Sequence, residues 1–121
     1  MKSAELLGPW GEATAAAFLR RKGFRIEAMN YRTRLGEIDI IARNRSFLVF
    51  AEVKLRKSDL YGAPREFVTA AKQNRLKAAA MQYLSEHETA LQPRFDVIEI
   101  YAPQGLATKM PRINHIENAF F

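Results

Sequence analysis

The sequence predicts an α/β domain with a mixed central sheet flanked by helices. Three observations predict it. Phe47 to Val53 is an almost unbroken apolar run of strand length, as expected of a strand covered on both faces. Glu37-Ile38-Asp39-Ile40-Ile41-Ala42 precedes it across a short polar segment and reads as its hairpin partner. Windows with apolar residues at helical spacing lie on either side of that pair, so the order is helix, strands, helix, strand. A chain of 121 residues with this order forms one domain, 1–121, around a single core.

Each element has local signals. Pro9 at a helix start and Gly23 at its end frame Trp10 to Lys22, and Ala13, Ala16, Ala17 and Phe18 give it a small-residue face suited to close packing on a sheet. Glu12 lies on the first turn, with Ala16 and Leu19 at i+4 and i+7. Its carboxylate therefore projects from the flank of an apolar stripe and can point over the sheet, although an acid is also favourable there simply because it faces the positive helix end. Phe24 to Ala28 reads as a short strand, and Asn30 to Gly36 carries the chain to the hairpin. In the first hairpin strand Ile38 and Ile40 should share one face, with Glu37 and Asp39 on the other. Arg43-Asn44-Arg45-Ser46 is the turn, and the second strand is Phe47 to Lys54. A loop of two or four residues sets odd-numbered residues opposite even-numbered ones, which places Asp39 on the same face as Glu52 and Lys54.

Past Lys57, Ser58-Asp59-Leu60-Tyr61-Gly62-Ala63-Pro64 holds the turn formers of a loop beside the candidate site. Thr69 can cap a long helix running to about His87, with Leu76, Ala79, Ala80, Tyr83 and Leu84 as its buried stripe. On that helix Gln73 sits at the edge of the stripe, and Lys72 and Arg75 should face outward. Phe95 to Tyr101 is a further strand, and Ile113 to Phe121 a short terminal strand or a tail.

The chemistry lies in the hairpin. Asp39 and Glu52 are thirteen positions apart, and two carboxylates held close repel one another unless something positive sits between them. A divalent cation is the usual solution. Mg2+ or Mn2+ prefers oxygen ligands and retains waters, leaving coordination positions for a phosphate oxygen and a hydrolytic water. Lys54 could orient that water or stabilise developing charge. Alternatively, Glu52 and Lys54 form the solvated face of an edge strand, but the apolar run around them argues for burial, where a charge needs a partner.

At these residues the chain resembles a known family. Gly36-Glu37-Ile38-Asp39-Ile40-Ile41-Ala42 followed by Phe50-Ala51-Glu52-Val53-Lys54-Leu55-Arg56, with Gly11-Glu12-Ala13 upstream and Ala70-Ala71-Lys72-Gln73-Asn74-Arg75-Leu76 downstream, resembles the YraN family of small uncharacterised bacterial proteins. That family is similar to archaeal Holliday-junction resolvases of the PD-(D/E)XK nuclease superfamily. The resemblance covers most of the chain and implies a restriction-endonuclease-like core. It also implies metal-dependent phosphodiester hydrolysis on branched or structured DNA. Carried over by position, Asp39 and Glu52 are metal ligands and Lys54 is the catalytic lysine. Glu12 is the extra carboxylate supplied from the first helix, and Gln73 reaches the site from the start of the long helix. A polar residue at the boundary of an apolar stripe explains Gln73 equally well. Ile38 stands where the superfamily's name has proline, a position that varies widely. Resolvase-like enzymes act as dimers, and the apolar Ala119-Phe120-Phe121 end could belong to such an interface.

Composition narrows the partners. No apolar run approaches the ~20 residues of a membrane span and no signal-peptide core follows the first residues, so a cytoplasmic protein without membrane contact is expected. Zero cysteines exclude disulfides, thiolate metal sites and cysteine nucleophiles, while His87 and His115 stand far apart and read as surface residues. Residues 1–57 hold twelve Lys and Arg against six Asp and Glu, whereas 58–121 hold seven of each, so the whole net charge of +6 lies in the half that carries the hairpin. Solubility alone does not call for such asymmetry. Arg20, Arg21, Lys22, Arg32, Arg34, Arg56 and Lys57 around the carboxylates, with Lys72 and Arg75 from the later helix, are the expected phosphate contacts. Two other readings remain: a nucleic-acid-binding module that keeps a nuclease fold with little turnover, and a partner-binding scaffold.

Overall fold

Among the described residues, seven α-helices and strands follow one another: α1 (Ser3–Arg21), β1 (Arg25–Arg32), β2 (Glu37–Arg43), β3 (Phe47–Arg56), α2 (Ala70–Glu86), β4 (Gln92–Tyr101) and β5 (Arg112–Phe120). The structure is a computed structural model that describes residues 3–57 and 69–120. Its strands form one five-stranded sheet in the order β1-β2-β3-β4-β5. All pairs are antiparallel except β3 with β4, which is parallel and whose connection carries α2. The result is an α/β fold with a mixed sheet and two helices, consistent with a restriction-endonuclease-like core. Ser58 to Pro64, read as a loop beside the candidate site, falls outside the described residues. Among those residues, no helix is long and apolar enough to cross a membrane.

The core has two halves, one on each side of the sheet. On one side Ala15, Ala16 and Leu19 of α1 pack on Ile40, Ala42, Val49, Ala51, Ile98 and Ile100. On the other, Leu76, Ala79, Ala80 and Tyr83 of α2 pack on Ile41, Leu48 and Phe50. Central β3 is therefore covered on both faces, as its apolar run requires, and Glu52 cannot belong to a solvated edge strand. The β2–β3 hairpin has the expected parity, with Arg43 paired to Leu48 and Ile40 to Ala51. Asn44 builds the turn, its Oδ1 accepting the amides of Ser46 at 2.9 Å and Phe47 at 2.8 Å.

Several sequence expectations are corrected. Helix α1 does not begin at Pro9 but at Ser3, with Pro9 inside it. The proline ring fixes a helical φ, so the chain continues through it and gives up one intrahelical hydrogen bond. Ala13 is exposed, and the face pressed on the sheet is Gly11, Ala15, Ala16 and Leu19. Gly23 does end the helix, at φ 94, with Phe24 N–H donating to Leu19 C=O and Gly23 N–H to Arg20 C=O, a Schellman motif. Strand β1 runs on to Arg32 through residues read as a loop, because Asn30 adopts a left-handed φ of 52 without ending the pairing. Ile38 and Ile40 do not share a face: Ile40 joins the α1-side core and Ile38 the α2-side core, so strict alternation fails at Asp39. The terminal segment is a full nine-residue strand whose Phe120 stacks on Phe95 at 5.2 Å.

His115 is not a surface residue. Its side chain is buried, and Nε2 donates to Asp96 Oδ2 at 2.7 Å, while Nδ1 lies 2.7 Å from Lys22 Nζ. Asp96 also accepts two bonds from Arg94, at 2.9 and 2.8 Å, and the Asn118 amide at 3.0 Å. Burial pushes the Asp96 carboxyl up, but the His115, Arg94 and Asn118 bonds hold it below the usual carboxylate range. This network ties α1 to β4 and β5. His87, by contrast, is exposed and stacks on Tyr83.

Candidate active site

The paired β2–β3 ladder ends at Ile40 and Ala51. Continuing the register by one residue sets Asp39 opposite Glu52, on the α2 side of the sheet. Instead of a ladder bond, Asp39 Oδ2 accepts the Val53 amide at 2.8 Å. The side chain thus takes the place of a backbone acceptor where the strands part, which satisfies the Val53 amide. Lys54 follows on the same face of β3, with Nζ 3.6 Å from Glu52 Oε1.

Helix α2 closes the site. Thr69 caps it, its hydroxyl accepting the Lys72 amide at 3.2 Å, and Lys72 Nζ forms an ion pair with the same Glu52 Oε1. Lys72 therefore does not face outward, as the helical stripe suggested. Its first-turn position over the end of β3 turns the side chain into the site. Burial alone would lower the Lys72 ammonium pKa, but bonding to Glu52 and the field of Asp39 raise it.

The β1–β2 turn forms the other wall. Thr33 organises it: its Oγ1 accepts the amides of Leu35 at 3.1 Å and Gly36 at 3.0 Å, and its own amide donates to Gly36 C=O at 2.8 Å. Gly36 presses so closely on α2 that a Cβ there would sit 2.2 Å from the Arg75 carbonyl oxygen. Between turn and helix lies a cavity of about 820 Å³, lined by Arg32, Arg34, Lys72 and Arg75 as well as Asp39 and Glu52. Cationic groups thus stand around two carboxylates.

The carboxylates feel one another. Burial first, and then the neighbouring Glu52 carboxylate, push the Asp39 carboxyl up to about 7 against the lowering effect of the Val53 amide. Glu12 and Glu37 add smaller upward pushes. At neutral pH the pocket therefore favours a proton or another cation on Asp39. Glu12 reaches this field from α1, whose Gly11 lies close on β3: a Cβ there would meet Leu55 at 3.0 Å. The Glu12 carboxylate is held by Asn30, whose Nδ2 donates to Oε1 at 2.9 Å. Among the described residues, no three acidic or histidine groups cluster tightly enough to hold a metal ion. Asp39 and Glu52 form the central pair, and Glu12 stands off on Asn30.

Other expected residues scatter. Gln73 is half-buried on the first turn of α2 and does not line the cavity. Arg56 is engaged with buried Glu99, 3.1 Å away, and Lys57 is exposed at the end of β3. Arg32 pairs with Glu37 at 3.1 Å on the cavity rim. Arg20, Arg21 and Lys22 end α1 on the opposite face of the sheet, where Lys22 meets Glu117 at 3.7 Å and Glu117 meets Arg94 at 3.6 Å.

Two features escaped sequence reading. Asn30 is one: an asparagine inside a strand pattern is a signal for positive φ, but its bond to Glu12 depends on where α1 lies. Glu99 is the other. It lies beside Lys54 in the parallel β3–β4 register and accepts from Arg56, from Asn114 at 2.9 Å and from Tyr101 at 3.3 Å.

Comparison with known proteins agrees with the resemblance. The uncharacterised protein family UPF0102 matches residues 11–100. A UPF0102 protein of Syntrophotalea carbinolica is 50% identical over 95 residues, covering 78% of this chain and 77% of that protein. One from Alkaliphilus oremlandii is 46% identical over 117 residues, covering 94% of this chain and 97% of that protein. A third, from Syntrophomonas wolfei, is 43% identical over 115 residues, covering 94% and 96%. With the family match spanning residues 11–100 and relatives aligned along nearly their whole length, this chain belongs to the uncharacterised family UPF0102 (YraN).

Proposed function

We propose that this protein is a divalent-metal-dependent endonuclease that hydrolyses phosphodiester bonds in structured or branched DNA. One observation carries the reading: Asp39 and Glu52 face each other where the β2–β3 ladder opens, beneath a cavity whose walls bear Arg32, Arg34, Lys72 and Arg75. Carboxylates in a cationic cleft suit a substrate that is itself anionic and is cut with the help of a cation. The donor set is oxygen only, which suits magnesium or manganese, and the raised Asp39 pKa marks a site where added positive charge is stabilising. Asp39 and Glu52 would hold the ion, which supplies Lewis-acid polarisation of a phosphoryl oxygen and a more acidic water.

The chain's own residues do the rest. Val53 N–H fixes the Asp39 carboxylate, so its orientation does not depend on the ion. Lys54, held beside Glu52, orients a water and stabilises charge developing on the phosphoryl oxygens. Arg34 and Arg75 fix the phosphodiester backbone. Glu12, kept in place by Asn30, adds negative field at Asp39.

A second reading, a DNA-binding module with the fold but little turnover, is favoured by the two lysines already neutralising Glu52. Incubating the protein with single-stranded, duplex, flap and four-way-junction DNA, with and without manganese, separates the two. Manganese-dependent cleavage of a structured substrate supports the nuclease. Salt-sensitive binding with no cleavage of any substrate leaves the binding module.

A further inference from the structure

We propose that Lys72 is a second working lysine of the site and that it exchanges partners, holding Glu52 until a divalent cation binds and then contacting a substrate phosphate. The inference rests on the metal-dependent reading above and deepens it.

Two ammonium groups meet at Glu52 Oε1, one from Lys54 and one from Lys72. They are not equally held. The Lys54 side chain is 19% exposed, whereas that of Lys72 is 43% exposed and lines the cavity. Lys72 can therefore swing into the cavity on its four-carbon stem without moving the backbone, and Lys54 cannot do so as freely.

Lys72 also stands in the first turn of α2, a turn that contains no acidic residue. The positive end of a helix opposes a cation there, so Lys72 keeps its place because Glu52 and Asp39 face it. A divalent ion taken up by those two carboxylates reverses that balance. Its charge, Lys54 and the helix end would then all repel Lys72, while Arg32, Arg34 and Arg75 line the cavity into which it turns. Metal and Lys72 thus compete for Glu52, whereas metal and a polyanion assist one another.

The test is a calorimetric titration of the full chain with manganese, paired with duplex-DNA anisotropy in calcium or in EDTA. Lys72→Ala should bind manganese about tenfold more tightly than wild type, because a competing cation is gone. Lys72→Arg should stay near wild type, and thermal unfolding of both variants checks that they are folded. In calcium, Lys72→Ala should lower DNA affinity severalfold and reduce the salt slope by about 0.9, the loss of one phosphate contact. In EDTA it should change neither. Manganese binding that is equal or weaker in Lys72→Ala than in wild type overturns the exchange and leaves the metal reading standing. No manganese heat from either protein overturns both. Equal loss of DNA affinity with and without calcium makes Lys72 an ordinary phosphate contact and also overturns the exchange.

Discussion

Asp39 accepts the amide of Val53 at 2.8 Å, using a side-chain oxygen where the β2–β3 ladder would otherwise supply a carbonyl. The bond holds a carboxylate in the opening between two strands and directly across from Glu52. Most of the testable behaviour of the site follows from that placement.

Asp39→Asn keeps an acceptor for the Val53 amide and removes the charge. Manganese binding should fall by tenfold or more and cleavage should vanish, while DNA affinity stays level or rises because a carboxylate near the phosphates is gone. Stability should move with pH in a defined direction. The folded carboxyl has its pKa raised from 3.8 to about 7, so the native state binds the proton more tightly than the unfolded chain. Wild-type stability is therefore lost as pH rises from about 4 through 7, and Asp39→Asn abolishes that contribution. Urea unfolding of both proteins at pH 5 and pH 8 measures it; a larger gain for the variant at pH 5 than at pH 8 contradicts the assignment.

Lys54→Ala should separate binding from turnover. Lys72 still neutralises Glu52 in this variant, so folding should change little and manganese affinity should not fall. Cleavage should drop by about 10²–10³, the scale of losing one group that stabilises transition-state charge. Single-turnover rates at saturating manganese provide the comparison with wild type.

DNA binding should depend on the cavity rim. Arg34→Ala and Arg75→Ala should each reduce the magnitude of the salt slope by about 0.9 on duplex DNA. Arg20→Ala and Arg21→Ala, on the far end of α1, should have the smaller effect. Anisotropy titrations from low to moderate salt rank the four variants, and a reversed ranking moves the DNA footprint to the α1 end.

Gly36→Ala tests the contact between turn and helix. The new Cβ would lie 2.2 Å from a backbone oxygen of Arg75, which cannot retreat without moving α2. A loss of about 1–3 kcal/mol is expected by chemical denaturation. Gly11→Ala meets only the Leu55 side chain, at 3.0 Å, and should cost less because that chain can turn aside.

Asp96→Ala leaves Arg94 and His115 buried without their shared acceptor, and about 3–5 kcal/mol should be lost. The Asp96 pKa is lowered, so its contribution is fully present above its unfolded value of 3.8 and disappears as pH falls through the folded one. Acid unfolding of wild type and Asp96→Asn should converge at the lowest pH where both remain measurable.

What the sequence determined by itself was local. The helix caps at Gly23 and Thr69, the long amphipathic stripe of α2, the hairpin parity and hence the shared face of Asp39, Glu52 and Lys54 all depend on residues a few positions apart. Family resemblance then named the same residues. Tertiary structure decided the rest, because it depends on which elements cross. Lys72 looks like an outward cation on a helical wheel, yet α2 lies over the end of β3 and brings it to Glu52. His115 sits in a strand pattern with nothing to mark it, yet it is buried by Asp96 from the neighbouring strand and Lys22 from α1. Glu12 lies on α1 as expected, but in mid-helix rather than on the first turn, and its partner Asn30 comes from a strand eighteen residues later. Charge partners that meet across elements are set by packing geometry, and no spacing along the chain records them.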